Sequence, residues 1–121
     1  MARKPFGFFT VVRELARTLP DVEESAGRGA PSLKVRGKLL TCPALHKSAE
    51  PDSLVVRLSF TERDLRLSFA PAIYYIKPHY EGYTCVLARV KLLDDDELRE
   101  LLETGWQFVR SKKTTKTKRR S

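Results

Sequence analysis

Leu54-Val55-Val56-Arg57-Leu58-Ser59-Phe60 decides the fold. Its residues Leu54, Val56, Leu58 and Phe60 point one way and Val55, Arg57 and Ser59 the other, because side chains alternate across a strand. One face of a sheet therefore belongs to a core, and the other meets solvent or a partner. Upstream, 32–36 and 38–42 alternate well enough for two short strands hinged at Gly37, followed by a polar, proline-bounded loop over 43–52. Downstream, strands near 73–76 and over 83–92 flank the loop Lys77-Pro78-His79-Tyr80-Glu81-Gly82.

Helical periodicity frames these strands. Phe8, Val12, Leu15 and Leu19 predict an amphipathic helix over 7–19 that Pro20 stops, and 21–31 has no period and reads as a loop. Thr61 stands where an N-cap would, and Leu65 with Leu67 predicts a short helix ending before Pro71. In the last helix, over 94–109, Asp94 and Glu97 have capping-box spacing, and Leu98, Leu101, Leu102, Trp106 and Val109 form one apolar stripe that assigns Trp106 to the core. The order is helix, three strands, helix, two strands, helix, with no internal repeat. Short connections make the first three strands antiparallel, so the expected class is two-layer α+β: a five-stranded, mainly antiparallel sheet with helices packed on one face.

A length of 121 residues, 41% hydrophobic and 31% charged, fits one globular domain. The net charge of +8 is a property of the ends. Arg110, Lys112, Lys113, Lys116, Lys118, Arg119 and Arg120 lie beyond the last apolar residue, and Arg3 and Lys4 near the first. Without those nine charges, residues 5–109 carry −1. The expected organisation is a domain over 1–110 and a basic tail over 111–121 with nothing to bury, hence disordered. Cys42 and Cys85 belong to no CxxC, and no signal pattern opens the chain, so a reducing cytosol is expected. No run reaches the length of a membrane helix. The Cys/His spacing fits no zinc site, and GxxxxGK[ST], GxGxxG and GxSxG are absent; no metal, no cofactor and no enzymatic activity are expected, the alternative being an activity that uses His79 and a thiol.

Four short motifs occur in order: Leu19-Pro20-Asp21-Val22-Glu23-Glu24; Gly29-Ala30-Pro31-Ser32-Leu33-Lys34-Val35-Arg36-Gly37-Lys38; Pro78-His79-Tyr80 through Tyr83; and Asp96-Glu97-Leu98 through Trp106. Together they resemble the MmcQ/YjbR family over about residues 6–110, with Asp21 where the family often has glycine and an unusually basic tail. The resemblance implies the element order given above and a DNA-binding role of the double-wing type.

Charge segregation points to function independently. The strand segments 32–42, 54–60 and 83–92 hold Lys34, Arg36, Lys38, Arg57, Arg89 and Lys91 and no acid, whereas 94–109 carries −5. Strand alternation puts Lys34 with Arg36 on one face and Arg89 with Lys91 on a shared face. A basic sheet face for nucleic-acid phosphates is expected, helped by Lys112, Lys113, Lys116, Lys118, Arg119 and Arg120 of the tail. The alternative is solubilising charge on an exposed sheet, in a module whose partner is an acidic protein or a small ligand. Lys77, His79, Tyr80 and Tyr83 form a possible ligand loop, or else simply close a turn. A monomer is expected.

Overall fold

The computed structural model describes residues 7–27 and 30–111. Of the expected tail over 111–121, Ser111 instead belongs to the last helix, and 112–121 lie outside the described residues. The elements run α1 (Phe9–Ala16), β1 (Val22–Gly27), β2 (Ala30–Val35), β3 (Lys38–Pro43), β4 (Ser53–Arg57), α2 (Phe60–Phe69), β5 (Tyr74–Tyr75), α3 (Pro78–Glu81), β6 (Cys85–Arg89) and α4 (Asp95–Ser111). A 3-10 turn over Val90–Leu92 links β6 to α4. The class is α+β, with an open sheet in the order β1-β2-β3-β4-β6-β5 and every neighbouring pair antiparallel.

Six strands stand where five were expected. Residues 22–27, read as loop, pair along β2 from Val22↔Val35 to Gly27↔Ala30. An edge strand needs only one partner, and polar residues suit it because they discourage further pairing. The β2–β3 connection is tighter than a hinge: Val35 pairs with Lys38, and both intervening residues, Arg36 (φ 53°) and Gly37 (φ 83°), are left-handed. That is the two-residue turn whose twist matches the strands. Arg36 therefore sits in the turn and shares no strand face with Lys34.

The predicted strand 54–60 ends early, at Arg57. Ser59 leaves the sheet, and its hydroxyl accepts the Glu62 N–H at 3.1 Å, so Ser59 and not Thr61 caps α2. The capping box of α4 forms as its spacing predicts: Asp94 Oδ1 accepts the Glu97 N–H at 2.8 Å, and Glu97 Oε1 accepts the Asp94 N–H at 3.0 Å.

Alternation along β4 and β6 divides two cores. Leu54, Val56, Val86 and Ala88 face Phe9, Val12 and Ala16 of α1 and Leu98, Leu101 and Leu102 of α4. Complete burial of each such aliphatic side chain contributes about 1.5–3 kcal/mol, which makes this the main stabilising layer. Leu67 and Ala70 bring α2 to the same side, where the Arg66 guanidinium joins Glu100 of α4 at 3.0 Å and the Tyr74 hydroxyl at 3.0 Å. The opposite face was expected to be open. At its β4–β6 side it is covered: Val55, Leu87, Tyr75, Tyr80 and Cys85 form a second cluster closed by α3 and by Ala44 and Ala49 of the 43–52 loop.

The last turns of α4 fix the far end of the sheet. A Cβ on Gly105 would stand 2.8 Å from the Arg57 carbonyl oxygen and 3.0 Å from Val56 Cγ1, so only glycine lets helix and strand approach so closely. Val109 then packs on Val35 and Leu40 beside the β2–β3 turn. Trp106, assigned to the core by its spacing, is half-buried instead. Its indole N–H donates to the Pro20 carbonyl at 2.8 Å, and the Arg110 guanidinium lies 4.6 Å over its ring.

Candidate nucleic-acid interface

Strand register sorts the six basic strand residues into two groups. Because Arg57 pairs with Cys85 and Ser53 with Arg89, Arg57 and Arg89 stand at opposite ends of the sheet. The β3–β4 register, with Thr41 opposite Val56 and Pro43 opposite Leu54, carries Lys38 to the Arg57 end, and the β2–β3 hairpin carries Lys34 and Arg36 there. Lys34, Arg36, Lys38 and Arg57 therefore gather at the hairpin end of the sheet. Arg89 and Lys91 lie at the other, where the chain turns into the acidic start of α4. The six do not form one basic face.

The two ends differ in what their cations touch. Arg89 makes a two-pronged ion pair with Glu50, both contacts 2.7 Å; it also donates to the Ala72 carbonyl at 3.0 Å and lies over the Tyr75 ring. Its hydrogen bonds hold the Glu50 carboxyl below the usual carboxylate range, and reciprocally raise the Arg89 guanidinium. Lys91 pairs with Asp52 at 2.9 Å. Sequence reasoning missed both acids because they sit in the 43–52 loop, whose path no periodicity reveals.

At the hairpin end, Arg36 meets Asp21 at 3.0 Å in a pair whose side chains are about half exposed or more, so solvent and salt screen it. Lys34 stands opposite Glu23 in the register, a β1 residue that gives the sheet two acids not expected of it, Glu23 and Glu24. Glu24 turns to Arg13 of α1 at 2.8 Å. Among the described residues Arg57 has no carboxylate partner. It donates through Nε to the Thr84 carbonyl at 2.9 Å and through Nη2 to the Thr84 hydroxyl at 2.8 Å, and its guanidinium lies 5.5 Å from the Phe108 ring centre. Desolvation lowers its pKa from the ordinary arginine value. Arg110 of α4 arrives at the same end, because neighbouring Val109 packs on Val35 and Leu40.

Tyr80 anchors the possible ligand loop in the second core. His79 stacks on His46 of the 43–52 loop with ring centres 3.8 Å apart and planes 12° from parallel. The buried Tyr80 accepts the His46 backbone N–H at 3.1 Å through its hydroxyl, and Lys77 lies over the Tyr75 ring. The Ser48 N–H donates to His46 Nδ1 at 3.1 Å, which requires that nitrogen to be unprotonated. Desolvation, with smaller contributions from His79 and Lys47, lowers the His46 pKa accordingly. Tyr83 turns outward, at 63% exposure, and His79 is exposed as well. A shallow cavity of about 340 Å³ beside this loop is lined partly by His46, Glu50 and Asp52, whose carboxylates Arg89 and Lys91 already hold.

Burial pushes the Cys42 thiol up to about 11 and raises that of Cys85 as well. Both are free thiols. Among the described residues no group of three or more His, Cys, Asp or Glu side chains is arranged to hold a metal ion, and no helix is long and apolar enough to cross a membrane. No family model matches the chain, and no curated protein matches it.

Proposed function

We propose that this protein, a cytoplasmic monomer of MmcQ/YjbR type, is a non-enzymatic nucleic-acid-binding protein that engages phosphates through the hairpin end of its sheet. The observation that carries the reading is the separation of cations. Lys34, Arg36 and Arg57 stand with Arg110 at the end from which the chain continues into six further Lys and Arg residues over 112–121, while Arg89 and Lys91 are held by Glu50 and Asp52. Arg57, held by Thr84 and Phe108 rather than by an acid, keeps more of its field for a polyanion than Arg89 in its two-pronged ion pair, and Arg36 shares its field with Asp21 in an exposed, salt-screened pair. The reading departs from a uniformly basic sheet face in using one end only. A non-catalytic role agrees with thiols whose raised pKa keeps them protonated and un-nucleophilic at neutral pH.

A salt titration of duplex binding by fluorescence anisotropy tests this. Log K falls with log salt by about 0.9 per phosphate neutralised. Replacing Lys34 and Arg36 together by Ala flattens that slope by up to about one unit each, and Lys91→Ala leaves it unchanged. Removal of residues 112–121 flattens it further without abolishing binding. If binding disappears with those residues and the Lys34/Arg36 double variant behaves as wild type, the sheet end has no part in it. A module for an acidic protein partner then becomes the better account.

A further inference from the structure

Resting on that reading, we infer that the hairpin end is a site for unpaired nucleotides, with Tyr83 and Phe60 as base-stacking platforms beside Arg57 and Arg63. The inference begins from the chain path. β4 delivers Arg57 to this end, Ser59 caps α2 immediately afterwards, and Phe60 opens the helix at 44% exposure. The segment before β6 returns to the same place, since the Leu58 N–H donates to the Thr84 carbonyl at 3.1 Å. Arg57 grips Thr84 through both its backbone and its hydroxyl, which leaves the adjacent Tyr83 turned to solvent. Arg63 ties the two segments together: its Nη1 donates to the Glu81 carbonyl at 3.0 Å while its guanidinium carbon lies 4.7 Å from the Phe60 ring centre.

The outcome is two ring–guanidinium pairs, Phe60 with Arg63 and Phe108 with Arg57, joined through the 81–84 segment that carries Tyr83: Arg63 holds the Glu81 carbonyl and Arg57 holds Thr84. Two of these rings, Phe60 and Tyr83, are substantially exposed, although large aromatic residues are normally withdrawn from water. Neither exposed ring is needed by the two cores. The cations alone would suit any polyanion, and the rings add a requirement that a paired base cannot meet, because its faces are already stacked inside the duplex. An unpaired base offers a free π-face, and each aromatic platform holds it with little regard to sequence. Glu81 and Asp64 flank this cluster, and Asp64 Oδ1 stands 3.4 Å from Arg63, so the cluster is less positive than the hairpin beside it. Phosphates therefore track along Lys34, Arg36 and Arg57, and bases turn toward Tyr83 and Phe60.

The test compares full-length protein and its Tyr83→Ala, Phe60→Ala and Lys34→Ala variants on fluorescein-labelled oligo-dT and oligo-rU of about 12 nucleotides, and on a duplex of the same length. Both ring variants remove exposed side chains, and unchanged Tm values verify that they fold. The expected result is tighter binding of the strands than of the duplex. Tyr83→Ala weakens strand binding by roughly five- to a hundredfold and leaves the salt slope alone, because stacking releases no ions. Phe60→Ala acts in the same direction, and preference between dT and rU identifies the sugar. Duplex binding at least as tight as strand binding, with both ring variants like wild type and Lys34→Ala still flattening the slope, overturns the unpaired-base site and leaves the phosphate reading standing. Absence of binding to all three probes overturns both.

Discussion

At one end of the sheet Arg89 and Lys91 hold carboxylates at 2.7 and 2.9 Å, whereas at the other Arg36 shares an exposed pair with Asp21 at 3.0 Å and Arg57 faces the Thr84 carbonyl and hydroxyl and the Phe108 ring. The residue types are the same and their spacing along the strands is similar. What differs is the loop on each side. The 43–52 loop brings Glu50 and Asp52 over β6, while the β2–β3 connection is a two-residue turn that carries no acid of its own and is met only by the exposed Asp21 beside β1. Basic residues in a sheet thus divide into those that fasten a loop and those that project a field, and only three-dimensional neighbours distinguish them.

The largest expected effect bears on how α4 reaches the hairpin end. Trp106→Ala removes a half-buried ring and its 2.8 Å hydrogen bond to Pro20, and lowers unfolding free energy by about 2–3 kcal/mol, below the range for a fully buried tryptophan. Urea denaturation measures it. A change under about 0.5 kcal/mol would place the ring outside the fold's support.

A smaller effect is expected at the acidic end. Arg89→Ala costs about 1 kcal/mol at neutral pH, limited because the Glu50 side chain is 45% exposed and solvent screens the pair. The pH dependence has a definite sign. The Glu50 pKa is depressed in the folded state from a reference value of 4.5, so its contribution is complete above that value and is lost as pH falls through the lower folded pKa. Denaturation of wild type and Arg89→Ala should therefore converge as the buffer is taken below pH 4.5, and a constant gap would show that Arg89 acts through Tyr75 and Ala72 rather than through Glu50.

The smallest effect sharpens the contrast from the other side. Lys34→Ala, at a half-buried position opposite Glu23, should change stability by no more than about 0.5 kcal/mol. Thermal melts of Lys34→Ala and Arg89→Ala in one buffer make the comparison directly, with a loss for Lys34→Ala equal to that for Arg89→Ala erasing the distinction between the ends.

The sequence makes the strongly patterned parts of this fold legible. β4 follows from the alternation of Leu54 to Leu58, and α4 from its stripe and the Asp94–Glu97 box, both of which are local signals. β1 is illegible for a physical reason. Val-Glu-Glu-Ser-Ala-Gly carries one bulky apolar residue, and its pairing is visible only against β2, where Glu23 meets Lys34 and Ser25 meets Ser32. The cover on the second sheet face is hidden likewise, since His46 and Tyr80 are 34 positions apart and neither has a distinctive local context. The six basic strand residues were visible, but not their division. Arg57 and Arg89 each follow an apolar run, and nothing nearby tells that one meets Thr84 and the other Glu50.

Chemical-shift mapping on uniformly 15N-labelled full-length protein, titrated with a single-stranded oligonucleotide at moderate salt, tests the central claim most directly. The account predicts that amide shifts concentrate at residues 34–40, 57–63, 81–85 and 108–111, the parts of the chain that meet at the hairpin end. Amides of 50–53 and 89–92, where Glu50 and Asp52 hold Arg89 and Lys91, should stay in place. Shifts centred on 50–53 and 89–92, with the hairpin end silent, would contradict it.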